Sequence, residues 1–563
     1  MKTRTHTLLK RLEKLRNAYG GDSAAQKLDL LGRLEHTRLA NADEVRRLHE
    51  FLAFTQAYPD DKPVLNQVER MLAGFERRAD LRRHRKELAD TGIAGTDTYY
   101  RFFWPTALWL AKRHPDRLTI DWPEFEAKRK MAELLFVLMT YSESPALEAL
   151  DYSPREWLER LKGRGETDAT FLIRRYSALK ATTFAREKFY EDLDIPLRLA
   201  PGPRTPTRTR AKLKGMPVVF QTRPLSKTRP DMRLESKRPP LSVRSLSPGE
   251  GQRLIDAALG AMVTRSRDLD AFDFADRNDV RLVNCGGGLQ FACIGQTPER
   301  RLLLEAVYGF LTIKNGVPIG YVLSSSLFSS SEIAYNVFET YRGGESVQIL
   351  GRVLGMVRHL FGSSTFSIDP YQLGYGNPEG LKSGAWWFYY KLGFRPEDRD
   401  VRRLLRRELK LMRKNPAHRS SQAVLEELSS QPLFLYLDRK KRSVLAKIPV
   451  GELGLKISRL LAERFGADRE RGIRTLSREA ERLLRVSSRQ NWSPGEQLAW
   501  DRWSPLLLLL PGVSRWKSED GRALVRIVRA KGGRRESDFV NLFNGNRHLQ
   551  RALLRLAENA TSH

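Results

Sequence analysis

Cysteine is almost missing from this chain: Cys285 and Cys293 are the two in 563 residues. Two thiols cannot staple a protein of this size, so a disulfide scaffold is excluded and a reducing compartment suffices. Long apolar runs are missing as well. Uninterrupted apolar runs are short, such as residues 134–139 and 506–510, far short of the roughly 20 needed to cross a hydrocarbon layer as a helix. The first fifteen residues are too densely charged to contain a signal core. A soluble, cytoplasmic protein with no membrane span is expected. The nine histidines are dispersed, and neither His-Glu-x-x-His nor Cys-x-x-Cys occurs, so no metal site is expected. The phosphate loop Gly-x-x-x-x-Gly-Lys-Ser/Thr and the nucleophile elbow Gly-x-Ser-x-Gly are absent too. Gly286, Gly287 and Gly288 precede a strand rather than open a helix, which argues against a dinucleotide fingerprint.

Acid is outnumbered by base. Asp and Glu total 67 against 98 Lys and Arg, a net charge of +31. Such a surplus predicts attraction to polyanions: nucleic acid, phosphorylated cofactors or acidic membranes. With 41% hydrophobic and 29% charged residues the chain has material for packed cores, and its length suggests three or four domains.

Residues 1–200 read as a helical domain. Leu8, Leu9, Leu12 and Leu15 recur at helical spacing, and residues 44–54 and 64–75 repeat the pattern. Ser153-Pro154-Arg155-Glu156 is a capping box with proline at the first helical position. The aromatic run at 99–105 could stack bases, but packing beneath helices is the usual employment of such rings. Residues 201–245 form a basic, proline-rich linker. Between 201 and 240, eleven Lys or Arg face only Asp231 and Glu235. Proline at this density suggests an extended connector, with a short strand at 217–221, which is either a solvated linker or a phosphate-gripping arm.

Residues 246–400 alternate strand and helix. A second capping box, Ser247-Pro248-Gly249-Glu250, starts a helix through Leu259. Residues 289–294 are a short apolar strand. Strands at 308–314 and 317–324 flank Asn315-Gly316, a tight-hairpin signal. A strand at 332–339 leads into Arg342-Gly343-Gly344 and then a helix from Val347 that ends at Gly362. A strand at 365–368 and a helix at 382–392 complete the segment. Residues 401–563 return to helix, with a third capping box at Ser493-Pro494-Gly495-Glu496 and an isolated strand near 433–437. Arg522, Arg526, Arg529, Lys531, Arg534 and Arg535 form a basic cluster that is either a contact for nucleic-acid phosphates or a solvated face.

The strand, glycine turn and helix around 332–360 carry the most chemistry. A helix N-terminus offers unpaired N–H groups and the positive end of its dipole. Glycines before it let an anion come close to the backbone. Gly343 and Gly344 occupy that place and Arg342 adds a cation, so the expected ligand is a phosphate or diphosphate.

The run from Ser331 through Tyr341-Arg342-Gly343-Gly344-Glu345-Ser346 resembles the fourth strand and acyl-CoA loop of the GNAT N-acyltransferases. Gly344 stands at that family's central glycine and Ser346 at its final small position, while Tyr341 stands where Gln or Arg is usual. Trp386-Trp387-Phe388-Tyr389-Tyr390-Lys391-Leu392-Gly393-Phe394 resembles the family's last helix and its Tyr-x-x-x-Gly-Phe ending. Lys382 takes a position where members often carry Asn; Asn377 lies upstream. The resemblance covers about 150 residues, roughly a quarter of the chain. It implies an α+β fold, a mixed-sheet GNAT-like central domain between mostly α-helical N- and C-terminal regions. It implies acetyl-CoA or another acyl-CoA as co-substrate and an amine as acceptor. The strand backbone at Val337 and Phe338 would pair with the pantetheine arm, and the amides of Arg342, Gly343, Gly344, Glu345, Ser346 and Val347 would hold the diphosphate. Tyr389 would protonate the leaving thiolate, and Glu332 or Glu339 would accept the amine proton. The odd spacing of these two acids puts them on opposite faces of a regular strand, and Glu332 ranks first. Two other readings stand beside this one. A catalytically degenerate scaffold could serve a protein that binds nucleic acid through the linker and the C-terminal arginines, or charged tRNA could be the donor in an aminoacyl transfer. Fold alone does not choose between them.

Overall fold

The computed structural model describes residues 2–226, 228–438 and 450–558. It is an α+β protein. Strands β1 (Thr98–Tyr100), β2 (Leu118–Ile120) and β3 (Leu197–Leu199) form a small antiparallel sheet in the order β1-β3-β2. The other nine strands make one mixed sheet. They are β4 (Ser242–Ser245), β5 (Ala275–Gly286), β6 (Leu289–Gln296), β7 (Ala306–Lys314), β8 (Val317–Leu327), β9 (Ser330–Val337), β10 (Thr365–Ile368), β11 (Arg395–Pro396) and β12 (Leu433–Tyr436). Their order is β11-β12-β10-β9-β8-β7-β6-β5-β4. From β4 to β9 the sheet is an antiparallel meander. The pair β9/β10 is parallel and needs a crossover, supplied by the Ser346–Phe361 helix. That helix buries Ile349, Leu350, Val353, Leu354, Val357 and Leu360 at 3.6-residue spacing. It stops at Gly362, whose φ of 67° is the left-handed conformation that suits glycine.

Local signals in the sequence account for the local structure. All three serine–glutamate capping boxes form, each with proline in the first turn. Asn315-Gly316 closes the β7/β8 hairpin with both residues at positive φ, 49° and 82°. Four expected features differ. The strand expected at 332–339 runs from Ser330 to Val337, and Glu339 opens a short 3₁₀ turn. The helix expected at 382–392 is two pieces, Pro378–Ser383 and Ala385–Lys391, because Gly384 adopts φ 68° between them. No strand forms at 217–221: the backbone N–H and C=O of Val219 bond to the Asn315 side chain instead of to a neighbouring strand. The strand near 433 is not isolated, since β12 inserts between β10 and β11.

Packing follows three cores. Residues 8–93 build one, and residues 102–199, with Val263 of the Pro248–Val263 helix, build a second. The third holds the sheet together with the C-terminal helices as far as Ala557. Residues 439–449 and 559–563 of the expected C-terminal domain lie outside the described residues. The aromatic run at 99–105 is divided: Phe102 and Trp104 are buried in the core, Tyr99 and Tyr100 are half-buried, and Phe103 is exposed. The linker is a packed strap. Thr205, Thr207 and Thr209 are buried, Leu225 and Met232 join the sheet's core, and Arg208, Arg210 and Lys212 pair with Glu50, Glu76 and Glu69. Both cysteines are buried and free, and burial raises their thiols to about 11 for Cys285 and about 12 for Cys293. That leaves neither as a nucleophile at neutral pH.

Candidate functional site

The parallel pair β9/β10 holds together only at one end. Ser330, Ser331 and Glu332 align with Thr365, Phe366 and Ser367, and beyond that the two strands part. β9 continues to Val337 paired with β8 alone. Phe338 gives its N–H to the Ile319 carbonyl on the β8 side. By alternation, Ile333, Tyr335 and Val337 turn their backbone groups toward the gap. A cavity of about 340 Å³ fills this gap, lined by Tyr335, Asn336, Val337, Ser346, Phe388 and Tyr389 among others. It adjoins a larger one of about 850 Å³ that shares Ser383 and Phe388 as a wall.

The glycine turn stands at the mouth of the gap. Gly343 has φ 83° with open space where a side chain would begin, so the turn depends on glycine there. The N–H groups of residues 343–348 have no partner among the described residues, and the first helical bond is from the Ile349 N–H to the Glu345 carbonyl. Glu345 is held from behind by the buried Lys314 at 2.6 Å. The Tyr335 hydroxyl donates to the Ser346 carbonyl at 2.8 Å, locking strand to helix. Arg342 spans the opening: its Nε donates to the Val337 carbonyl at 3.1 Å and its guanidinium pairs with Glu379 at 2.9 Å. Arg267 reaches the same carboxylate at 3.7 Å. Asn377, also on the lining, spends its side chain on the Gly380 N–H and the Tyr371 carbonyl.

Tyr389 projects from the Ala385–Lys391 helix into the gap and is buried, and its hydroxyl has no hydrogen-bond partner among the described residues. Burial raises its pKa well above the usual value, so it holds its proton at neutral pH. Glu332 stands at the joined end of the gap, opposite Ser367. Alternation places it on the sheet face away from the Ser346–Phe361 helix, since Ser331 bonds to Ser363 and Tyr335 to Ser346 on the other face. Its side chain has open surface, yet protein atoms crowd the carboxyl. That crowding, with Asp369 and Glu305 nearby, raises it to about 7.

Other expected site residues lie elsewhere. Glu339 faces a separate cavity of about 190 Å³ against Arg16, Arg46 and Glu50 of the N-terminal helices, because the chain leaves the strand before reaching it. The Phe338 ring is buried beneath Arg265 at 3.6 Å, and its N–H is committed to β8. Tyr341 is buried among Arg265, Arg208 and Arg16 rather than facing the gap. Val347 lines the larger cavity. Four of the six in the C-terminal cluster are engaged: Arg529 pairs with Glu496, Lys531 with Glu536, Arg534 donates to the Asn278 carbonyl and Arg535 to Ser245, while Arg522 and Arg526 stay exposed on the Ser518–Gly532 helix. Tyr335, Arg267 and Glu379 were not singled out in the sequence. Only the folded register brings them together, and no spacing announces them.

No helix among the described residues is long and apolar enough to cross a membrane, and no group of three or more metal-ligating side chains occurs among them. Comparisons of the chain with family models, with curated proteins and with solved structures gave no match.

Proposed function

We propose that the protein is an N-acyltransferase that moves an acyl group, most simply acetyl, from acyl-CoA to an amine. The observation that carries this reading is the parting of β9 from β10 beside a helix N-terminus with free amides. The pantetheine arm would lie along the open edge of β9 as an added strand, using the backbone groups of Tyr335 and Val337. The Val337 carbonyl now accepts from Arg342, so the arm would displace that side chain. The diphosphate would sit on the amides of 343–348. The amine would approach from the opposite face, where Glu332 takes its proton directly or through water. The nitrogen lone pair attacks the thioester carbonyl, the tetrahedral intermediate collapses, the C–S bond breaks, and the thiolate takes the Tyr389 proton.

The test is titration calorimetry with acetyl-CoA on the wild type and on Ser346→Glu. An acid in the first helical turn favours the helix dipole, so the fold is retained, but it places a negative charge where the diphosphate belongs. Binding weaker by about tenfold or more, roughly 1.4 kcal/mol, is expected. Equal binding by both proteins would remove the site from its assigned place.

A further inference from the structure

The net charge of +31 is not spread evenly once ion pairs are counted. In the strap Arg208, Arg210 and Lys212 meet carboxylates, and near the C-terminus Arg529 and Lys531 do the same while Arg534 meets a carbonyl. The helix Arg399–Lys414 has a single carboxylate partner for eight basic side chains, although Arg402 and Arg413 also donate to the nearby Glu397 and Leu409 carbonyls. It carries Arg399, Arg402, Arg403, Arg406, Arg407, Lys410, Arg413 and Lys414, all exposed. At 100° per residue these eight fall within an arc of about 140°, along a helix about 24 Å long. Among the described residues only Arg403 has an ion-pair partner, the exposed Asp400. The opposite side is already used: Val401, Leu405 and Glu408 are buried, and Leu409 and Met412 line the 850 Å³ cavity. Leu411 is the one exposed large apolar side chain on this helix, too little to enter a lipid layer as a membrane-surface helix must. The stripe has no aromatic side chain on which unpaired bases could stack.

We infer that this stripe is a docking surface for the phosphate backbone of a nucleic-acid duplex, read without regard to base sequence. A straight row of guanidinium groups one helical turn apart suits repeated phosphates. The rim of the adjacent cavity, with Lys382, Lys391 and Arg419, continues the positive surface toward the acyl-transfer gap. This inference stands on the charge pattern and does not need the acyltransferase reading.

The test is fluorescence anisotropy of a labelled 24-base-pair DNA duplex, and of the RNA duplex of the same sequence, against full-length protein over a range of salt. The variant replaces Arg402, Arg406, Lys410 and Arg413 with Gln, a good helix former. The control replaces Arg522, Arg526, Arg551 and Arg555, exposed on other helices, with Gln. For the wild type, affinity should fall steeply with salt. The stripe variant should bind at least tenfold more weakly at 0.1 M salt, with its log–log slope reduced by about 3, while the control binds as the wild type does. Equal melting temperatures show that the variant is folded. A stripe variant that binds like the wild type overturns the inference. So does a wild type with no salt-dependent duplex binding, or one that binds phosphatidylserine vesicles through the stripe and no duplex.

Discussion

Glu332 and Tyr389 meet opposite requirements by the same means. Desolvation by surrounding protein atoms lifts both pKa values, at the buried Tyr389 and, with Asp369 and Glu305 nearby, at the partly open Glu332, which brings the acid into the range where it can act as a base near neutrality and keeps the phenol protonated. If Glu332 accepts the amine proton, the initial rate at saturating acetyl-CoA should rise with pH and level off, with a midpoint near 7. Glu332→Gln should abolish that ascending limb. Tyr389→Phe should leave acetyl-CoA affinity unchanged in calorimetry and lower turnover by roughly 100-fold. A Gln variant with the wild-type pH profile would place the base elsewhere, and a Phe variant with normal turnover would leave Tyr389 a packing residue. The case of Glu339 shows where residue-level reading ran out. Parity along a strand separated it from Glu332, but parity applies only while the strand lasts, and the chain turns at Phe338 to meet the N-terminal helices. The sequence cannot display that contact, because its partners Arg16 and Glu50 lie some three hundred positions away.

Elements whose instructions are local were legible in the sequence. The three capping boxes, the Asn-Gly hairpin and the Gly362 stop depend on residues within a turn of one another, and each forms. Elements fixed by distant partners were not. β12 looks like a stray apolar run until β10 and β11 accept it, and the first part of β5 shows no clean alternation because the strand carries a register shift between Ala275 and Val280. Asn315 belongs to both classes. Its place in the turn was readable, but its side chain also donates to the Ala57 carbonyl at 2.8 Å and the Val219 carbonyl at 3.0 Å, and accepts from the Val219 N–H at 2.9 Å. The residue is fully buried and joins the hairpin to the N-terminal helices and the strap. Asn315→Gly retains the positive φ the turn needs and removes all three bonds, leaving the buried Ala57 carbonyl unpaired and freeing the backbone of the exposed Val219. A loss of about 2–4 kcal/mol is expected, read as a lower melting temperature in scanning calorimetry. A melting temperature within a degree of wild type would mean that water replaces the amide at no cost.

At the scale of the molecule, what the sequence suggested as successive domains is held together by contacts across their boundaries, and one of these is sensitive to pH. The second N-terminal core meets the sheet through Val263 and through polar bonds around two carboxylates. The Phe103 N–H donates to Asp268 at 3.2 Å, and the Thr106 hydroxyl donates to Asp273 at 2.9 Å. Each acid keeps one buried oxygen without a partner among the described residues. Desolvation comes first for both and raises Asp268 to about 6 against the hydrogen bonds from Thr106 and Phe103; at Asp273 the neighbouring Asp268 adds to it and the value reaches about 8. An unfolded aspartate ionises near 4, so between roughly pH 4 and 8 the folded chain holds protons that the unfolded chain releases. Stability from this interface is therefore fully present below pH 4 and is lost as pH rises through 8. Asp273→Asn keeps the size of the group and the oxygen that accepts from Thr106, but it cannot ionise. It should melt close to wild type at pH 5.5 and measurably higher at pH 8.5, with the wild type alone losing stability between the two. A variant whose melting temperature differs from wild type by the same amount at both pH values would show that Asp273 ionises freely and that the boundary carries no proton-linked contact.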